Sequence, residues 1–203
     1  MQLHRTSITS RFILCASVIA ACLLPTTSQA FSPTSLSRDL GRTIVRIVER
    51  ENALAPIASV SFCIKRPEQC RNTGGPEVLK LTPDRETELL NINLAVNKSI
   101  SPKKDATGAD TWDVDVSSGD CEDYALTKRR HLIALGWSSA SLRIAVALTA
   151  TGEGHAVLIA RTSKGDLILD NRTGEIKDWK RTDLRILKIQ TKENPKRWVN
   201  VGR

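Results

Sequence analysis

The amino-acid sequence predicts an α+β fold, with helices first and an antiparallel sheet second. Two observations carry this: apolar residues recur at helical spacing through the first part of the chain, and alternate with a period of two after Gly136. "SLSRDLGRTIVRIVEREN" (35–52) repeats its apolar residues at Leu40, Ile44, Val45, Ile47 and Val48, which predicts an amphipathic helix despite Gly41. "TPDRETELLNINLAVNKSI" (82–100) predicts a second, with Thr82 as cap, Pro83 at the first helical position and acids in the first turn. The polar stretch 101–119 reads as a long loop, of a length that is usually functional or mobile. A further helix opens at Cys121 and ends at Gly136, its left-handed cap. "LRIAVALT" (142–149), "HAVLIART" (155–162), "DLILD" (166–170) and "LRILKIQ" (184–190) alternate as strands do. No internal repeat or low-complexity tract divides them, so a single domain is expected.

Residues 1–30 set the compartment. They hold Arg5 and Arg11, no acid, and the apolar run "FILCASVIAACLL". "PTTSQA" follows, with Ser28 and Ala30 at the positions a signal peptidase favours. The run falls short of the roughly 20 residues that a membrane span needs. The expected organisation is a signal peptide over 1–30 and one domain over 31–203, periplasmic or secreted; an uncleaved anchor is the alternative. The formal charge of +8 raises nucleic acid as a partner. Export argues against it, and the Lys and Arg residues are scattered along the chain. A solvated basic surface, or contact with acidic polymers of the envelope, is left.

Cleavage would remove Cys15 and Cys22 and leave Cys63, Cys70 and Cys121. Cys63 and Cys70, close together in "FCIKRPEQC", are expected to pair in an oxidising compartment; two unpaired structural thiols are the other reading. So short a closed loop contributes about 2 kcal/mol. Cys121 is then a lone thiol, either buried and inert or used.

Asp120 can cap the helix, which places Cys121 in the first turn, where free N–H groups and the helix dipole favour a thiolate. Cys121, Ala125 and Leu132 fall within about 40° of one another, on the face that should pack on the sheet. A base must come from elsewhere. His131 lies ten positions along the same helix, about 15 Å away, and cannot reach the sulfur. His155 remains, opening the strand after "TGEG", as a base or as a hydrogen-bonded strand-end histidine. Asp170 can orient it if Thr162–Gly165 forms a four-residue loop, which sets Asp170 opposite Val157 and diagonal to His155. A two-residue turn at Lys164–Gly165 would set it opposite Ile159, out of reach. Asp170 also reads as a turn former before "NRTG". Trp112 suits either a substrate groove or, more simply, the core.

"GDCEDYALTKRRHLIALGW", then "GHAVLIA", then "LILDN", in that order, resemble the bacterial transglutaminase-like cysteine proteinases. This is a periplasmic family of the papain/transglutaminase type. The resemblance covers about residues 85–190, and "FCIKRPEQC" is similar to a segment of some members. It implies a papain/transglutaminase-like core with the cysteine at a helix N-terminus packed on an antiparallel sheet. It also implies a triad: Cys121 as nucleophile, His155 as base and acid, Asp170 as orienter. The best-understood members clip a large surface adhesin near its membrane anchor. The lead-in "DTWDVDVSSGD" departs from the tryptophan-rich one usual there. The implied chemistry is thiolate attack on a peptide carbonyl, with water resolving the thioester in a protease and an amine in a transpeptidase or transglutaminase. A peptidoglycan amidase, or an inert exported binding module with a relic triad, stays open. The expected partner is a protein substrate at the envelope, with no nucleic acid, no membrane span after cleavage, and a monomeric state.

Asp120, Glu122 and Asp123 crowd a thiol that must ionise. They are ordinary first-turn acids, or Asp120 and Glu122 hold a calcium ion with Asp110, Asp113 and Asp115 completing its oxygens. The resemblance points to calcium, since calcium dependence with these flanking acids is known among the adhesin-clipping members. No EF-hand spacing is present.

Overall fold

A computed structural model describes residues 44–106 and 109–202. The expected signal peptide, and the expected helix over 35–52 up to residue 43, lie outside the described residues. Helices α1 (Ile57–Lys65), α2 (Pro83–Ser99) and α3 (Cys121–Ala134) pack with a sheet that contains β1 (Glu49–Ala53), β4 (Leu142–Leu148), β5 (Gly154–Thr162), β6 (Gly165–Leu169), β7 (Lys177–Asp178), β8 (Arg185–Gln190) and β9 (Trp198–Val201). The strand order is β1-β9-β8-β4-β5-β6-β7, with every pairing antiparallel. A separate two-residue parallel ladder joins β2 (Ser101–Pro102) to β3 (Ser118–Gly119). No helix among the described residues is long and apolar enough to cross a membrane. The α+β architecture is as the two periodicities predict.

The helix expected over 35–52 is not formed in its described part; residues 49–53 are β1, paired with β9. The apolar residues there are mostly β-branched, and Ile47 is buried while Ile44, Val45 and Val48 are exposed. The Ile47 N–H donates to the buried Asp166 carboxylate at 2.8 Å, an anchor across 119 positions that no local pattern reveals. Helix α1 and the 3₁₀ turn Pro67–Cys70 carry no clear period in the sequence, where "FCIKRPEQC" reads only as a disulfide loop. That disulfide, Cys63–Cys70, is formed. Helix α2 begins as expected, the Thr82 hydroxyl accepting from the Arg85 N–H.

The Asp170 register follows the expected one by a tighter route. Thr162 pairs with Gly165, so the turn proper is Ser163–Lys164. The pairs Arg161–Asp166 and Leu158–Leu169 extrapolate to Val157 opposite Asp170. Gly165, at φ +128°, accommodates the turn.

Two cores flank the sheet. Leu158 and Ala160 of β5 pack with Ala125, Leu126 and Leu132 of α3, while Val157 and Ile159 join Ala145, Ala147 and Ile189 in the second core. Helix α3 ends in a Schellman motif: Trp137 N–H donates to Leu132 O and Gly136 N–H to Ile133 O, with Gly136 at φ +85°. It is buried along most of its length, and Lys128 is fully so, its Nζ without a hydrogen-bond partner.

Burial pulls the Lys128 ammonium down to about 7, with the Asp170 charge opposing. Its folded pKa lies below its unfolded one, so between pH 7 and about 10.4 the unfolded chain binds more protons and rising pH stabilises the fold. Lys128→Met is expected to melt higher than wild type, with the gap widest at pH 7 and below and closing towards pH 10.4. Urea titrations of both proteins across that range check it; a gap that does not change with pH refutes the assignment.

Candidate active site

The loop after α2 leaves and returns at one place. Ser101–Pro102 pairs with Ser118–Gly119, and the Lys103 N–H donates to Gly119 O. This closure delivers the chain to the start of α3 and sets Asp105 beside Asp120. At the helix N-terminus the Asp123 carboxylate accepts from the N–H groups of Asp120 (3.3 Å) and Asp113 (2.8 Å). A Cβ on residue 119 would overlap the Asp123 carboxylate, so this approach requires glycine. Asp120 occupies the capping position, but its Oδ2 accepts from the Asp105 N–H at 3.3 Å, and its Oδ1 is buried without a partner.

Strand β6 stops at Leu169, opposite Leu158, so the first residues of β5 run on beyond it. There the Ala156 N–H donates to Cys121 Sγ at 3.2 Å, placing the sulfur beside the strand residue that follows His155. His155 Nε2–H donates to Asp170 Oδ1 at 2.9 Å, and both side chains are buried. Burial opposes ionisation of Asp170, but hydrogen bonds from His155 and Arg172 outweigh it and hold its carboxyl well below the usual range. An ionised Asp170 fixes the His155 tautomer, leaving Nδ1 as the basic nitrogen. Asp170 also forms the turn, its Oδ1 accepting from the Arg172 N–H at 2.9 Å. One carboxylate thus accepts both the turn hydrogen bond and the one from His155.

Cys121 is half-buried, and among the described residues it is the only cysteine outside the disulfide. Its thiol donates to Glu122 Oε2 at 3.2 Å. Burial raises the thiol's pKa, the Glu122 charge adds to this, and the Ala156 N–H opposes both. Burial raises the Glu122 carboxyl too, as does its proximity to Asp120. Asp105, Asp120 and Glu122 each offer a carboxylate oxygen, all within 4.8 Å of one another. Three converging hard oxygens and an unpartnered buried Oδ1 fit a divalent cation such as calcium. The other loop acids are engaged elsewhere: Asp110 accepts from Trp112 Nε1, Asp113 from Arg66 and Val114, and Asp115 pairs with Arg130 and His131. Asp105, whose Oδ2 also accepts from the Thr111 N–H, is the loop acid that stands beside Asp120 and Glu122. Its position depends on the two-residue ladder, which is too short to read from sequence.

Trp112 lies in the core, edge-on to Trp198 at 6.3 Å, and not in the cleft. The cleft around Cys121 and His155 is lined by Lys103 and Lys104 on the loop side and by Asn171 and Arg172 on the other. Native, unreduced mature protein, without Cys15 and Cys22, is expected to take up one iodoacetamide label, at Cys121, because Cys63 and Cys70 are bridged. Peptide mass mapping checks this; a label on Cys63 or Cys70 contradicts it.

The sequence profile of the family described as bacterial transglutaminase-like cysteine proteinase (BTLCP) matches residues 49–203. No curated protein matches the chain. Among solved structures, calcium-bound LapG of Legionella pneumophila is similar, with a TM-score of 0.52 and 28% identity over 61% of this chain and 74% of that one. EGTA-treated LapG of the same organism matches with a TM-score of 0.48 and 30% identity over 54% of this chain and 64% of that one. That second match spans less than two thirds of the LapG chain. The profile takes in α3, β5 and the turn after β6, where Cys121, His155 and Asp170 stand. The chain belongs to the bacterial transglutaminase-like cysteine proteinases.

Proposed function

We propose that the protein is an exported cysteine peptidase that cleaves a peptide bond in a protein substrate at the cell envelope. The observation that carries this is the 2.9 Å His155–Asp170 hydrogen bond on a strand whose next N–H, that of Ala156, donates to Cys121 Sγ. Cys121 is the nucleophile. His155 takes the thiol proton through Nδ1, then gives it to the leaving amine as the thioester forms. Asp170 keeps the ring in that tautomer and stabilises the imidazolium. The Cys121 N–H, at the first position of α3, has no acceptor in the helix ladder and serves as one oxyanion donor. Water then hydrolyses the thioester.

Asp105, Asp120 and Glu122 would hold a calcium ion, whose charge offsets the acids beside the thiol. Glu122 would then cease to be the acceptor that keeps Cys121 protonated. The disulfide and the segment 1–30 support export through a cleaved signal peptide.

A surface adhesin is the proposed substrate, on the family resemblance. Surface proteomes of cells producing the wild-type or the Cys121→Ala protein test it. A large surface protein shed only with the wild type is the expected result. Identical surface proteomes with altered sacculi would point to an amidase and overturn the peptidase reading.

A further inference from the structure

Asp170 is held from its far side by a pair that the proposed chemistry does not use. Arg172 Nε and Nη2 donate to Asp170 Oδ2 at 3.0 and 2.8 Å, and the Arg172 backbone N–H donates to Oδ1. The guanidinium is in turn gripped by Asp183, which receives Nη1 at 3.1 Å and Nη2 at 2.8 Å. Asp183 lies just before β8, so the clamp ties the end of β6 to a strand three places away in the sheet.

A carboxylate accepts about four hydrogen bonds. Arg172 fills three of these directions, and the fourth points at His155 Nε2. The orientation of Asp170 is therefore set by Arg172, and with it the direction of the His155 ring. We propose that Arg172, braced by Asp183, is a positioning residue that leaves Asp170 a single free acceptor direction, aimed at His155. This rests on the triad reading above.

An unusual interaction between substitutions follows. In Asp170→Asn the new amide has one acceptor oxygen and an NH₂ group. With Arg172 present, its N–H donors attract the oxygen and repel the NH₂, which turns the NH₂ towards His155 and disfavours the tautomer with Nε2–H. Removing the guanidinium frees the amide to turn its oxygen to His155. Arg172→Leu should then be harmful alone and helpful in the Asp170→Asn background.

The test uses the full mature chain in calcium-replete buffer, with p-nitrophenyl acetate turnover as the probe and circular dichroism to verify folding. Asp170→Asn is expected to lose about 100-fold or more in kcat, as tautomer defects do. Arg172→Leu is expected to lose about 10-fold in kcat with KM unchanged, Arg172→Lys less, and Asp183→Asn less still. The double variant Asp170→Asn/Arg172→Leu should be several-fold more active than Asp170→Asn alone. The downfield proton signal of His155 Nε2–H, read by NMR, should weaken in Arg172→Leu and in Asp170→Asn and return in part in the double variant. Losses that multiply, or an Arg172→Leu protein as active as wild type, overturn the proposal. If Arg172→Leu does not fold, Arg172→Lys paired with Asp170→Asn faces the same two outcomes. Cys121→Ala and His155→Ala run alongside: if either retains turnover, the triad reading fails; if both lose it and only the Arg172 result is absent, the clamp alone fails.

Discussion

Cys121→Ala and His155→Ala are each expected to abolish cleavage of the protein substrate, by about 10⁴-fold or more, while Asp170→Asn leaves a small residual rate. The difference follows from roles. In the proposed triad Cys121 would form and break the bond to the acyl carbon and His155 would move the proton in both half-reactions, whereas Asp170 meets the ring only at its far nitrogen, at 2.9 Å. Cys121→Ala should lose little stability, since Cys121 is half-buried at the start of a helix. His155→Ala leaves the buried Asp170 one hydrogen bond short and should cost about 1–3 kcal/mol. A folded protein with no turnover is the expected pair of readings for each. His131, the other described histidine, sits on α3 against Asp115, where it cannot serve as a substitute base. Full turnover in His155→Ala would therefore overturn the assignment.

Removing calcium is expected to have the second largest effect. With no cation on the acids, the Cys121 thiol donates a hydrogen bond to Glu122, and burial and the neighbouring Glu122 carboxylate keep the thiol protonated. A bound cation supplies the opposite charge, so Asp105, Asp120 and Glu122 no longer disfavour the thiolate. A calcium-selective chelator is therefore expected to slow iodoacetamide labelling of Cys121, reduce cleavage and lower the melting temperature together. At a calcium concentration about 100 times Kd the ligand stabilises by about 2.7 kcal/mol, which for a domain of this size shifts melting by about 5–10 °C. Asp105→Asn should reproduce the chelated behaviour even with calcium present, because it removes a ligand without touching the residues that flank the cysteine. If labelling, cleavage and melting all ignore the chelator and added calcium, the acids are helix caps and hold no metal.

Local sequence determined the elements that repeat with a clear period and end on a clear signal. Thr82 and Pro83 open α2, Gly136 closes α3, and the alternation of β4, β5, β6 and β8 is read directly, because side-chain periodicity and cap geometry are properties of a few adjacent residues. The placing of Cys121 at a helix start and the pairing of Cys63 with Cys70 were legible for the same reason. Short strands towards one end of the sheet were not. Strands β1 and β9 span 5 and 4 residues and define each other by pairing, so neither carries a period that stands alone. Asp120 and Glu122 stand out in the sequence as metal candidates, but Asp105 beside them and the Asp183 brace on Arg172 belong to tertiary structure. Asp105 reaches Asp120 because a two-residue parallel ladder closes the loop between them. Arg172 reaches Asp183 because β8 enters the sheet three places from β6 and brings its leading residue alongside. Contacts of that kind join groups by the path of the backbone through space, and neither partner's neighbours in sequence record where the other will arrive.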